Sequence, residues 1–260
     1  MRRLLIATAA LIAALAPASA HFQEIIPSAD VLPEGGAVGI DLVFTHPMER
    51  GPVMEMARPQ KVGVVQRGET RDLTGAIAEE KIDGKTAWRL STTLDEPGVA
   101  VFFVVPQPYW EQAEKKWIVH HAKVVVDGFA SGEGWATAVG LPVEIEPLAR
   151  PTGLWTGNLF RGLVRRAGAP VPFAEVEVEW KNDGSVKPPN DAFVTQVIKA
   201  DAGGVFAYAM PRAGWWGFAA LVDGPAAPGP DGKPAVTELG GLIWVKATDM
   251  GAAPPTAPAK

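Results

Sequence analysis

Glycine and proline interrupt this sequence at short intervals, and that spacing limits the secondary structure that the chain can form. The chain has 28 glycines and 24 prolines in 260 residues. Both residues disfavour helix interiors, and no long stretch keeps the apolar spacing of an amphipathic helix. The segments between them are short and rich in valine, isoleucine, phenylalanine and tryptophan, as at 38–44, 61–65, 87–92, 99–105 and 117–126. This pattern predicts an all-β chain, best interpreted as a β-sandwich fold.

Two strand series are separated by the proline-containing segment 147–151, which predicts an interdomain linker. We therefore expect two β-sandwich domains, at 21–146 and 152–248, followed by a disordered tail at 249–260. The second series includes 159–164, 174–180, 194–199, 205–208 and 217–221, and its hairpin at 166–176 is similar to that of transthyretin-like (prealbumin-like) modules. Residues 174–180 alternate apolar and acidic, which predicts a solvated acidic strand face. The polar insert at 108–116 is expected to form one helical turn.

Residues 1–20 have the pattern of a secretory signal peptide. A charged start, Met1 to Arg3, precedes the apolar run 4–16 and the small-residue cleavage site Ala18-Ser19-Ala20. Cleavage after Ala20 would give a periplasmic protein whose mature chain begins at His21. No later apolar run approaches the length of a membrane span, so we expect none in the mature chain.

Composition excludes several classes of function. The chain has no cysteine, which excludes thiolate metal sites, iron–sulfur clusters and thiol catalysis. Its formal net charge of −5 makes nucleic acid a poor partner. We discern no nucleophile–base arrangement, phosphate loop or paired-carboxylate motif, and we therefore expect a protein that is not an enzyme.

The four histidines are the candidate metal ligands: His21, His46, His120 and His121. A terminal His21 would offer an α-amine and an imidazole, which together can chelate a transition metal. His46 precedes a proline and should stand extended at a strand end. His120 and His121 are adjacent in a predicted strand, so at most one of them should share a site with His21 and His46. The residues alone do not decide which one.

Amine and imidazole nitrogens suit nickel, copper, cobalt or zinc. Glu24, Glu49 and Asp127 are candidate oxygen ligands or acceptors that orient an imidazole. The loop after His46 also carries Met48, Met54 and Met56. Their thioethers could bind Cu(I), although irregular spacing favours ordinary packing.

Several segments together resemble the domain-of-unknown-function family numbered 4198, over nearly all of the mature chain. These segments are His21-Phe22, Phe44-Thr45-His46-Pro47, Pro108-Tyr109-Trp110-Glu111, Ile118-Val119-His120, Glu133-Gly134-Trp135, Gly140-Leu141-Pro142-Val143-Glu144-Ile145, Gly153-Leu154-Trp155 and 208–217. The resemblance implies a periplasmic component associated with nickel/cobalt energy-coupling-factor uptake transporters. It implies His21, His46 and His120 as ligands of Ni²⁺ or Co²⁺, because the family position after His120 is often aromatic.

The leading hypothesis is therefore a non-enzymatic periplasmic metal-binding protein that assists nickel or cobalt uptake, with a membrane transporter as its partner. A copper-handling protein is the first alternative. A histidine-brace copper oxidase of polysaccharide and a metal-free adhesive module are further alternatives.

Overall fold

The computed structural model describes residues 21–251. The predicted signal peptide, residues 1–20, and residues 252–260 of the predicted tail lie outside the described residues. Regular structure in 21–251 is almost all β-strand, with two 3-10 turns at Thr74–Ala76 and Asp191–Phe193. The prediction of an all-β sandwich fold is confirmed. Neither of these short turns has the length or apolar character needed to cross a bilayer, and the described residues contain no other helix.

The first strand series comprises eleven strands. They are β1 (Phe22–Pro27), β2 (Val31–Leu32), β3 (Gly36–Thr45), β4 (Lys61–Gln66), β5 (Glu69–Asp72), β6 (Ile77–Ile82), β7 (Lys85–Leu94), β8 (Gly98–Val105), β9 (Tyr109–Glu111), β10 (Lys116–Gly128) and β11 (Val143–Pro147).

The second strand series comprises ten strands. They are β12 (Leu154–Trp155), β13 (Leu159–Arg166), β14 (Ala169–Pro170), β15 (Glu175–Trp180), β16 (Gln196–Lys199), β17 (Val205–Ala209), β18 (Gly214–Asp223), β19 (Ala227–Pro228), β20 (Pro234–Ala235) and β21 (Thr237–Thr248).

One large sheet joins the two series, in the order β16-β15-β18-β21-β10-β8-β4-β5. Its two halves meet where β10 and β21 pair in parallel. A first small sheet has the order β1-β3-β7-β6, and a second small sheet joins β11, β13 and β14, with β17 also on β13. The large sheet therefore belongs to both halves of the molecule.

Alternate residues of β21 enter two different hydrophobic cores. Leu242 and Trp244 pack in a core shared with the first small sheet. Ile243 and Val245 pack in a second core shared with the second small sheet. Because side chains alternate across a strand, the large sheet forms a middle layer that is apolar on both faces.

The predicted linker begins at Pro147, the last residue of β11, yet β11 pairs with β13 beyond the linker. Val143 and Ile145 of β11 pack in the second core. The chain thus joins the second core before residue 147, and the domain boundary at 147–151 stays a prediction.

The expected helical turn at 108–116 is a hairpin instead. β9 pairs antiparallel with the start of β10, which places Trp110 opposite Trp117. Their ring centroids lie 5.1 Å apart. A cross-strand aromatic pair of this kind stabilises a hairpin and outweighs the polar composition of the connecting residues.

Candidate metal centre

The register between β1 and β3 brings two of the predicted ligands together. Phe22 pairs with Thr45, so the next residue outward on each strand places His21 opposite His46. The centroids of the two imidazole rings lie 4.6 Å apart. Both histidines are buried, with 9% and 5% of their surface exposed. Residues 25 positions apart in the sequence thus form one buried imidazole pair.

Glu111 of β9 is the carboxylate partner of His21. Its Oε2 lies 3.0 Å from His21 Nε2. Burial and the neighbouring His46 lower the pKa of His21 to about 4, although the charge of Glu111 opposes this. The ring is therefore neutral at neutral pH. A neutral imidazole that donates its Nε2–H to Glu111 keeps a lone pair on Nδ1.

Aromatic rings enclose the His21 side chain. The Phe44 ring stacks 5.5 Å from it, and the Tyr109 ring lies 5.9 Å away, between centroids. These rings limit the positions available to the imidazole and keep water away from it. The enclosure explains why burial is the largest cause of the lowered pKa of His21.

His120 contacts the backbone of His21. Its Nδ1 donates to the carbonyl oxygen of His21 at 2.7 Å, and its Nε2 lies 3.0 Å from Glu238 Oε1. Both ring nitrogens of His120 therefore face acceptors. To coordinate a metal through Nε2, His120 would have to exchange the contact with Glu238 for the ion.

Glu238 is held by two basic groups, since Lys116 Nζ also donates to it at 2.6 Å. Burial would raise the pKa of Glu238, but the hydrogen bonds and charges of His120 and Lys116 outweigh it and lower the pKa to about 2. Glu238 is thus a carboxylate throughout the physiological pH range, and it fixes the orientation of the His120 ring.

A glycine makes room for the His120 ring. His120 pairs with Gly240 in the register of β10 and β21. A Cβ atom added at Gly240 would lie 2.5 Å from His120 Cδ2, closer than Cβ atoms approach other groups. Gly240 and Glu238, like Glu111, were not predicted as site residues. Gly240 and Gly241 are adjacent inside β21, and glycine inside a strand is a sequence signal that another group approaches the backbone closely.

His121 lies on the opposite face of β10. Its Nδ1 donates to the carbonyl oxygen of Gly240 at 3.4 Å, and it pairs in register with Gly241. A Cβ atom added at Gly241 would meet the backbone of Val143 at 2.6 Å, so this face packs against β11. Burial lowers the pKa of His121. The structure brings His21, His46 and His120 together and places His121 elsewhere.

Two of the three predicted oxygen ligands, Glu24 and Asp127, are engaged by other groups. Glu24 is buried and accepts from Lys181 Nζ at 2.6 Å. Asp127 accepts from the Ser131 hydroxyl and from the backbone of Gly132. Glu49 is exposed on the loop after His46.

The three methionines do not share one site. Met48 packs in the second core, whereas Met54 and Met56 pack in the first. This is the packing expected of flexible apolar side chains that fill core gaps.

Within residues 21–251, no group of three or more histidine, aspartate or glutamate side chains is arranged to hold a metal ion. The donor set of His21 and His46 is nevertheless chemically suited to a divalent transition metal, since it offers imidazole nitrogen. Cleavage after Ala20 would add a further donor that is not a side chain, the α-amine of His21.

Comparison with known proteins assigns a family to most of the chain. A family model described as "Domain of unknown function (DUF4198)" matches residues 18–224. A search of curated proteins gave no match.

Solved structures that align with the chain have low TM-scores. A marsupial T cell receptor aligns at 9% identity and a TM-score of 0.24, over 89% of this chain and 75% of the receptor chain. Latent PorU from Porphyromonas gingivalis aligns at 12% identity and a TM-score of 0.23, over 88% of this chain and 20% of PorU. The major pilin BcpA of Bacillus cereus aligns at 12% identity and a TM-score of 0.20, over 88% and 66% of the two chains. These values carry no argument about function.

Proposed function

This chain belongs to the DUF4198 family, and from that premise we propose that its mature form is a periplasmic protein that binds a divalent nickel or cobalt ion. The ion is cargo, held reversibly and passed to a membrane uptake transporter, and the protein performs no reaction on it. The uptake role comes from the family resemblance, whereas the binding role is supported by the geometry of His21 and His46.

The observation that carries the proposal is the buried pair of His21 and His46. Their ring centroids are 4.6 Å apart, and the pKa of His21 is lowered to about 4. A metal ion must compete with protons for imidazole nitrogen. Because the pKa of His21 is well below 7, its imidazole carries no extra proton at neutral pH that a metal ion would have to displace.

Glu111 supports a particular mode of chelation by His21. An α-amine can close a chelate ring through Cα, Cβ, Cγ and Nδ1 of its own histidine, whereas Nε2 points away. Glu111 lies at Nε2, so the proton is held there and Nδ1 is left to the metal. Metal-binding histidines commonly donate their other N–H to a carboxylate in this way.

In this proposal the amine and imidazole of His21 and the imidazole of His46 supply three nitrogens. His120 donates from Nδ1 to the His21 carbonyl oxygen, which fixes the backbone that carries the chelating residue. His120 adds a fourth nitrogen only where the ion displaces Glu238. A set of nitrogens suits the square-planar or tetragonal geometry of Ni(II) and Cu(II).

Copper handling is the second candidate, and the all-nitrogen donor set favours it. Cu(II) binds such sites more tightly than nickel or cobalt irrespective of biological role. Metal affinity measured in vitro therefore does not distinguish nickel or cobalt uptake from copper handling. The metal content of cells does.

The test compares a strain lacking this gene with the wild type, and with the deletion strain complemented by the intact gene or by His46→Ala. We expect lower cellular nickel or cobalt in the deletion and His46→Ala strains when external metal is scarce, and no difference when it is abundant. Normal nickel and cobalt under scarcity, with altered copper tolerance, would replace the proposal with copper handling. Purified wild-type protein that retains no metal in replete medium would favour the adhesive alternative.

A further inference from the structure

The loop after His46 is held by the second strand series. Met48, two residues beyond His46, has both of its backbone polar groups bonded to side chains that lie in the last residues of β15 or just after it. Its N–H donates to Glu179 Oε2 at 3.0 Å, and its carbonyl oxygen accepts from Asn182 Nδ2 at 2.9 Å. Its own side chain packs in the second core.

Pro47 is held by the same segment. Its carbonyl oxygen accepts from the backbone N–H of Asn182 at 3.2 Å. Proline also restricts the backbone of the preceding residue, His46, to extended conformations. The backbone at His46 therefore continues directly into two residues that Glu179 and Asn182 hold in place.

Glu179 and Asn182 are themselves well fixed. Glu179 is 1% exposed and accepts from the Thr195 hydroxyl. Asn182 is 8% exposed, donates to the Val186 carbonyl oxygen at 2.7 Å and accepts from the Gly184 N–H at 2.9 Å. The strand face predicted to be solvated and acidic is thus buried at Glu179, because the His46 loop covers that end of β15.

From these contacts we infer that Glu179 and Asn182 are positioning residues for His46. This inference rests on the proposed metal-binding function. The metal centre is then built by both strand series, with His21 and His46 supplied by the first and the orientation of His46 supplied by the second. Residues that orient a ligand affect metal affinity without touching the ion.

The test uses Asn182→Ala and the pair Glu179→Ala and Glu179→Gln, with Asn190→Ala as the matched control. Asn190 is an exposed asparagine that bonds one backbone N–H in its own turn. We expect Asn182→Ala and Glu179→Ala to weaken Ni²⁺ binding by roughly 10- to 100-fold. Glu179→Gln keeps an oxygen for Met48 N–H and a polar partner for Thr195, and should restore near wild-type affinity, as should the control.

A second measurement separates positioning from general stability. Pulsed electron paramagnetic resonance of Cu(II)-loaded protein counts the imidazoles on the ion. We expect two in the wild type and one in Asn182→Ala and in His46→Ala. A lower melting temperature in Asn182→Ala with two imidazoles and unchanged affinity would overturn the inference. Unchanged affinity in His46→Ala would instead overturn the proposed function. If Asn182→Ala does not fold, the Glu179 pair decides alone.

Discussion

His120 and His121 are adjacent in β10, yet they lie in different environments. His120 faces the end of β1, where it bonds the His21 carbonyl oxygen and Glu238. His121 faces β11 and bonds the Gly240 carbonyl oxygen. The next residue on each face also differs. Ala122, on the His120 face, packs in the first core. Lys123, on the His121 face, forms a buried ion pair with Glu144 at 2.6 Å.

His120 and His121 are the same residue type, so their different contacts come from the chain segments that pack on the two faces of β10. On the His120 face, the imidazole of His120 contacts two other titratable residues, His21 through its backbone and Glu238 through its carboxylate. The His121 face is closed by the β11 backbone and by Glu144, which also accepts backbone N–H bonds from Val139, Gly140 and Leu141. The proposed metal site lies on the His120 face, whereas the groups on the His121 face are expected to contribute to stability, and this division can be tested.

The largest expected effect on stability is at the buried ion pair. Lys123→Met leaves Glu144 buried without its ammonium partner, and we expect the free energy of unfolding to fall by about 3–5 kcal/mol. Urea denaturation measures it. Lys199→Met, which removes an exposed pair with Glu175, should cost about 0–1 kcal/mol. Ni²⁺ affinity of the folded Lys123→Met protein should match the wild type, and a large loss of affinity would break the division.

Substitution of Gly240 or Gly241 in β21 by alanine compares the two faces of the sheet by adding one methyl group to each. In Gly241→Ala the methyl group would meet the Val143 backbone, and we expect a loss of about 1–3 kcal/mol of stability with unchanged metal affinity. In Gly240→Ala it would meet the His120 ring, and metal affinity should fall as well. Denaturation and calorimetric titration on both proteins decide it. Equal effects of both changes on affinity would show that the two faces are not independent.

His120 and His121 can each be replaced by alanine. His120→Ala frees the His21 carbonyl oxygen, and we expect Ni²⁺ affinity to fall by roughly 10- to 100-fold. His121→Ala should leave the affinity unchanged, because its ring bonds the backbone on the other face. Isothermal titration calorimetry measures both, and a greater loss in His121→Ala would reverse the assignment.

The smallest expected effect is a pH dependence with opposite signs on the two faces. On the His120 face, burial raises the pKa of Glu179 from 4.5 to about 8. Between these values the folded protein keeps a proton that the unfolded chain releases, so this group's stabilising contribution is present below pH 4.5 and lost as the pH rises toward 8. On the His121 face, burial of Glu144 is outweighed by Lys123 and backbone N–H bonds, which lower its pKa.

Glu179→Gln removes the titration at that position. We expect its stability relative to the wild type to increase by on the order of 1 kcal/mol between pH 7 and pH 8. Urea denaturation at the two pH values measures the difference. The same stability difference at both pH values would mean that Glu179 does not titrate in this range.

Sequence reasoning predicts the strands well, because short β-branched and aromatic runs between glycine and proline depend on local residues. It also identifies His21 and His46 as candidates. It does not predict that they face each other, since that follows from the β1–β3 register. Glu111, Glu238 and Gly240 are missed for the same reason: each meets a histidine through strand pairing or packing between segments distant in sequence. The shared large sheet is likewise set by the β10–β21 pairing, which no local pattern specifies.

The central claim is that the mature terminus and His46 form the metal site. It is tested most directly by titrating Ni²⁺ into protein that begins at His21 and into protein that retains Ala20. The extra residue converts the chelating amine of His21 into a peptide nitrogen and leaves the rest of the sequence unchanged. The account predicts one ion per chain and at least about tenfold weaker binding in the extended protein, or about 1.4 kcal/mol. Equal affinity and stoichiometry in the two proteins would contradict it.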